Sequence, residues 1–209
     1  MIYMPDAFHE TERDALHGLI EAYGFATLIS PDATEPTITH LPLLLERARG
    51  AQGTLIGHVA RANPHWRTLQ ERPAVVAVFH GPHAYVSPSW YGVQPSVPTW
   101  NYAVVHAAGS ARVLHDPKAL AEITNRLVEA FENPRPQPWR MQLPTDFRDR
   151  MLGAIVGFEI EISQLSGKFK LSQNRSLDDR RRVVTALEAG NAAEKELAAL
   201  MRARVVHEP

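Results

Sequence analysis

Between His80 and His106 the chain reads HGPHAYVSPSWYGVQPSVPTWNYAVVH, and this stretch carries the residue types best suited to holding a flat ligand. Tyr85, Trp90, Tyr91, Trp100 and Tyr102 all fall within it, although the whole chain has only four tryptophans and five tyrosines. Cores are ordinarily built from Leu, Ile and Val. Rings with polar tips on proline-stiffened loops between strands suit a planar molecule that needs a stacking face and fixed edge contacts. The competing reading is an aromatic loop that seals one end of a barrel. On composition alone the two are nearly balanced.

Histidines are the other chemically capable groups. His80 with His83, or His58 with His65, are candidates for a metal or haem iron. No carboxylate joins them at a recognisable ligand spacing, and Gly81-Pro82 makes a turn that fixes no common direction. Polar histidines near a ligand loop are therefore the preferred reading, and no metal site is expected. The chain has no cysteine, which excludes disulfides, thiolate nucleophiles and Cys-based metal clusters. It also lacks G-x-G-x-x-G after a strand, G-x-x-x-x-G-K-[ST] and G-x-S-x-G, so Rossmann, P-loop and serine-hydrolase sites are not expected. No catalytic residue is identifiable.

Length and charge narrow the class further. With 209 residues, 44% hydrophobic, the chain can bury one good core. A net charge of −1 gives no basic field to attract nucleic acid or anionic lipid. The opening MIYMPDAFHETERD has no basic segment followed by an apolar run, and no stretch approaches a membrane span, so a soluble cytoplasmic protein is expected.

The elements that must position these groups are mostly strands. Leu16, Leu19, Ile20 and Tyr23 have helical spacing, with Gly24 placed to stop the helix. Strands are expected at 25–29, 37–45, 54–60, 74–79, 102–114 and 154–162. Asn63 and Pro64 have the pattern of an N-cap and first position of a short helix to Leu69. Asp116-Pro117 opens a helix whose apolar face is Leu120, Ile123, Leu127, Val128 and Phe131. Prolines 134, 136, 138 and 144 impose an irregular segment. Ser176 and Asp179 form a capping-box variant for a helical end broken at Gly190. Many strands and few intervening helices argue for a mainly β (α+β) barrel with peripheral helices and a helical C-terminal tail. The division expected is 1–175 for the barrel and 176–209 for a tail packed on it.

Several strings then point to one family. They are the opening Tyr3, Pro5 and Phe8, T-H-L-P at 39–42, and G-H-V-A-R-A-N-P-H-W at 57–66. H-G-P-H-A-Y-V-S-P-S-W-Y at 80–91, V-P-T-W-N-Y-x-x-V-H at 97–106 and K-F-K-L-S-Q-N-R at 168–175 complete the set. The chain resembles, end to end, the PaiB-type FMN-binding negative transcriptional regulators, relatives of the pyridoxamine-phosphate-oxidase-like split β-barrels. The resemblance implies an FMN-binding split β-barrel that pairs into a homodimer with FMN at the subunit interface.

Against what FMN requires, Arg61, Asn63, His65 and Trp66 are candidates for the phosphate, at the start of a short helix whose amides favour an anion. Thr39, His40 and Leu41, with His58, Val59 and Ala60 on an expected neighbouring strand, are candidates for the ring's polar edge. Lys168, Lys170 and Gln173 form a further candidate cluster, with Lys168, Lys170 and Ser172 on one face if the segment is extended. A solvated edge strand guarded by lysines is the equally weighted alternative. The function implied is flavin-based redox or sensing, and an FMN-dependent oxidoreductase is the enzyme class it would fit. Direct DNA-binding repression is an alternative, with Lys168, Lys170, Arg175 and Arg180–Arg182, followed later by Arg202 and Arg204, as the basic patch, but no helix-turn-helix and no positive net charge support it. Haem binding or degradation, by analogy with other split barrels, ranks last.

Overall fold

The computed structural model describes residues 3–32 and 34–205. Among these, eight strands are formed: β1 His9–Glu10, β2 Phe25–Ser30, β3 Thr37–Pro42, β4 Leu44–Glu46, β5 Thr54–Ala60, β6 Ala74–Val86, β7 Thr99–Leu114 and β8 Ile155–Lys170. Six α-helices accompany them: α1 Arg13–Ala22, α2 His65–Glu71, α3 Pro117–Glu132, α4 Thr145–Gly153, α5 Leu177–Glu188 and α6 Ala192–Val205. The strands join in the order β3-β2-β6-β7-β8-β5-β4, with β1 added to β8. The chain divides into two compact units, one of Met1–Leu19, His80–Val105 and Ser166–Pro209, the other of Ile20–Phe79 and His106–Leu165.

The second of these units carries the split. The single strand expected over 37–45 is broken at Leu43, which is buried and donates its N–H to the Gly24 carbonyl at 2.9 Å. Before the break, β3 pairs antiparallel with β2, from Phe25 opposite Pro42 to Ser30 opposite Thr37. After it, β4 pairs with β5, from Leu44 opposite Ile56 to Glu46 opposite Thr54. Gly57 permits this crossing, because a Cβ there would strike the Leu43 side chain and crowd the Pro42 carbonyl. Beyond Gly57, β5 continues along β8 alone, with His58 opposite Gly157 and Ala60 opposite Ile155. Thus β3 and the end of β5 diverge, each with one edge that no strand among the described residues covers.

Helix α3 forms as its sequence predicts. Pro117 occupies its first turn, and the Asp116 carboxylate accepts from Ala119 N at 2.9 Å. Its buried face is Leu120, Ile123 and Leu127. Close approach to β8 requires Gly157, whose absent Cβ would collide with Leu120 and Ile123. The proline-rich stretch after α3 gives way to α4, a helix missed in the sequence because only Leu152 of its nine residues is buried and its pattern is polar.

In the first unit, His9 and Glu10 pair with Lys168 and Gly167, so β8 is covered there. Strand β8 runs eight residues past the expected Ile162, and β6 runs through His80–Val86, expected as loop. Helices α5 and α6 pack on each other and bury Val183, Val184, Leu187, Leu197, Ala198 and Met201. Ser176 caps α5 by accepting from Asp179 N at 3.2 Å. Of the expected tail, residues 206–209 lie outside the described residues.

Candidate functional site

The divergence of β3 and β5 is filled by the loop that opens α2. Asn63 Oδ1 accepts from His65 N at 3.0 Å, the cap expected from the sequence although the helix itself starts one residue later. The Asn63 amide donates to Thr39 Oγ1 at 3.2 Å. Thr39 Oγ1 in turn lies 2.8 Å from His65 Nδ1, and His65 Nε2 lies 3.0 Å from Ser30 Oγ. His65 is 0% exposed, so both ring nitrogens are engaged by hydroxyls inside the protein. The network ties β2, β3 and α2 together. Trp66 is equally engaged: its indole N–H donates to the Arg61 carbonyl at 3.0 Å, and its ring meets His115 edge-on at 5.5 Å.

Arg61 leaves β5 and turns toward the start of β8. Its Nε donates to the Gly153 carbonyl at 2.6 Å and its Nη2 to the Ile155 carbonyl at 2.9 Å. Half of its donor fork is therefore used by backbone, and the rest stays at an exposed position. Its chain neighbour Ala60 lines a cavity of about 580 Å³. His58, Ala60 and Ile155 form its floor, α3 contributes Ala121, Thr124 and Asn125, and α4 contributes Arg148, Met151 and Leu152. Met141 and Leu143 close it from the irregular segment. The walls are apolar with a few polar groups, the usual character of a small-molecule site.

His58 is the chemical oddity of this cavity. Its Nδ1 is buried and has no hydrogen-bond partner among the described residues. Burial pushes its pKa below the usual histidine value, and burial does the same to His65. Both rings are therefore neutral near pH 7. For these groups the unfolded chain, protonating near the ordinary 6.5, binds protons before the folded chain does. The stability they hold is complete above that value and is lost as pH falls below it. We expect a lower urea midpoint at pH 5.5 than at pH 7.5, and a midpoint that rises on acidification would contradict the buried neutral histidines.

The remaining predicted residues lie elsewhere. His40 is exposed on β3, within 3.1 Å of Thr27 Oγ1, while Leu41 and Val59 are core. Lys168, Lys170 and Gln173 belong to the first unit. The Gln173 amide is taken up by its own turn, accepting from Leu171 N at 2.6 Å and donating to the Phe169 carbonyl. In the same unit Trp100 is exposed beside Tyr85 and His83, and Tyr91 is buried under Arg175. Sequence reasoning missed every α3 and α4 residue of the cavity. Only the apolar face of α3 was visible, and the cavity lies at the margin of that face.

The basic run expected as a nucleic-acid patch is neutralised only toward its helical end. Arg181 pairs with Asp178, Arg202 with Glu188 and Arg204 with Glu10, while Arg180 is buried. Among the described residues no group of three or more metal-ligating side chains comes together, and no helix is long and apolar enough to cross a membrane.

A family model described as "Putative FMN-binding domain" matches residues 2–164. The chain belongs to this FMN-binding family. Protease synthase and sporulation protein PAI 2 of Bacillus subtilis (strain 168) is 35% identical over 203 residues, covering 96% of each chain, so this FMN-binding protein is of the PaiB type. Its fold recurs in the FAD and heme binding protein from Mycobacterium smegmatis, with a TM-score of 0.60 at 16% identity over 83% of this chain and 78% of that one. The flavocytochrome Anf3 from Azotobacter vinelandii matches with a TM-score of 0.59 at 15% identity over 78% and 69%. The split-barrel fold and FMN as cofactor follow for this family member. The residues present fit such a group: a roomy apolar cavity with the Arg148 guanidinium in its lining and an orphaned histidine nitrogen in its floor.

Proposed function

We propose that this protein is a flavin-based redox or sensing protein that seats FMN in the cavity between β5, β8, α3 and α4, beside the split. The carrying observation is the cavity itself, which joins apolar walls to Arg148 in its lining, with Arg61 next in sequence to the lining Ala60 and bonded to the carbonyl of the lining Ile155. Met141, Leu143, Met151, Leu152 and Ile155 would pack on the ring system and exclude water from it. The free side of Arg61 and the Arg148 guanidinium, whose pairing with Asp149 is an exposed one at 3.3 Å, would hold the phosphate. His58 would contribute a neutral imidazole to the ring's polar edge, and the uncovered edge of β3 at Thr39–Leu41 would supply backbone donors and acceptors. Asn63 and His65 would act by fixing the loop that carries Arg61. When bound, FMN supplies hydride and electron transfer, and the protein's part is to hold and orient it and tune its potential.

A homodimer fits the outer face of β2 and β3, where Phe25 is 68% and Ile38 52% exposed. That face would place the cofactor groove at a subunit boundary. A cytoplasmic location remains the expectation. The basic run gives no reason to prefer direct DNA reading, so a regulatory role would pass through another partner.

The visible spectrum of the purified protein tests the assignment. We expect two flavin bands and release of FMN on denaturation. A colourless protein that also fails to take up added FMN would overturn it.

A further inference from the structure

We propose that Lys170 and Arg175, backed by Lys168, form an anion site for a phosphate monoester carried on an aromatic ring, a second ligand bound by residues that take no part in holding the flavin. Three observations within the first unit lead to it.

The first is charge without counter-charge. Lys168 is 8% exposed, donates to the Tyr3 carbonyl at 2.9 Å and lies 4.9 and 5.8 Å from the Tyr3 and Tyr102 rings. Lys170 donates to the Trp100 carbonyl at 2.7 Å and to Thr99 Oγ1, and sits 5.8 Å from the Phe8 ring. The Arg175 guanidinium lies 4.3 Å over Tyr91. All these partners are neutral, and none of the three cations forms an ion pair among the described residues. Burial, then the charges of Lys168 and Arg175, push the Lys170 ammonium below its ordinary pKa. A cation cluster with one buried and two half-buried members is costly unless an anion completes it. A lysine-guarded open edge does not explain it, because β1 covers β8 at Lys168.

The second is the locked turn that gathers the cations. Ser172 has φ 65°, left-handed backbone that a non-glycine residue adopts at a cost. It is held there by Asn101, whose buried amide donates to Ser172 Oγ at 2.8 Å while its Oδ1 has no partner. Arg175 N donates back to the Ser172 carbonyl at 3.0 Å, closing the turn that returns Arg175 toward β8. The third is the ring beside it. Trp100, whose carbonyl holds Lys170, exposes 54% of its surface and is flanked by Tyr85 at 6.2 Å and His83 at 6.4 Å. Such a shelf suits a planar body attached to the anion.

The probes are phenyl phosphate, inorganic phosphate and phenol, each titrated calorimetrically at low salt into the protein as purified and again with added FMN. We expect phenyl phosphate to bind once per chain, inorganic phosphate to bind more weakly and phenol not to bind. Lys170→Met should weaken phenyl phosphate about tenfold or more while FMN content is unchanged. Arg175→Gln is the second variant should the first fail to fold. No binding of phenyl phosphate, equal binding in the variants, or equal affinity for inorganic phosphate would overturn the proposal. Loss of FMN in Lys170→Met would also overturn it, by returning the lysine to the flavin. A colourless protein that still binds phenyl phosphate would instead overturn the flavin assignment alone.

Discussion

Ala60→Trp is expected to leave the protein folded and to weaken FMN binding about a hundredfold or more, which is about 2.7 kcal/mol. Ala60 is the last residue of β5, exposed, and lines the cavity. Its pairing with Ile155 is made through backbone, so the ladder survives the substitution. An indole projecting into a cavity of about 580 Å³ takes space from the ring system and adds apolar contact with its walls. The unfolding temperature should therefore hold or rise slightly. Flavin fluorescence quenching measures the affinity, and circular dichroism the stability. Ala62→Trp is the control, because Ala62 is exposed and lies outside the cavity lining. Unchanged affinity in Ala60→Trp would remove FMN from this cavity.

His65→Ala should act in the opposite way, on stability first. Its ring nitrogens meet Thr39 and Ser30, and the imidazole is fully enclosed. Truncation leaves a cavity and strands the buried Ser30 hydroxyl, a combined cost of about 3–4 kcal/mol. At about 2–4 °C per kcal/mol for a chain of this size, the melting temperature should fall by about 10 °C. If His65 instead touched the phosphate directly, the melting temperature of the cofactor-free protein would scarcely move and FMN affinity alone would drop. Comparing the two measurements on cofactor-free protein separates these roles.

The split barrel was legible because its strands carry strong apolar patterns and its helices strong caps. Asp116-Pro117 and Ser176 mark α3 and α5 without any tertiary information. The break at Leu43 was not legible, since Thr37–Leu45 reads as one continuous strand. Only the packing of Leu43 against the space left by Gly57 divides it. Likewise, Asn63 was readable as a cap, but a histidine two residues on gives no sign of whether it faces solvent or the core. That depends on Thr39 and Ser30, which are 26 and 35 residues away.

The sequence by itself determined the family, the cofactor class and most elements, because capping, alternation and the family's strings are local properties of the chain. Only the tertiary structure decided which polar groups are free to meet a ligand. Donors such as the Gln173 amide and half of Arg61 are consumed by backbone groups. Hydrogen bonding of that kind depends on distances across the fold, and no residue type announces it. The cavity is of the same kind: it exists because α3 and α4 stand over β5 and β8, and the weakly patterned α4 acquires its meaning only from that contact.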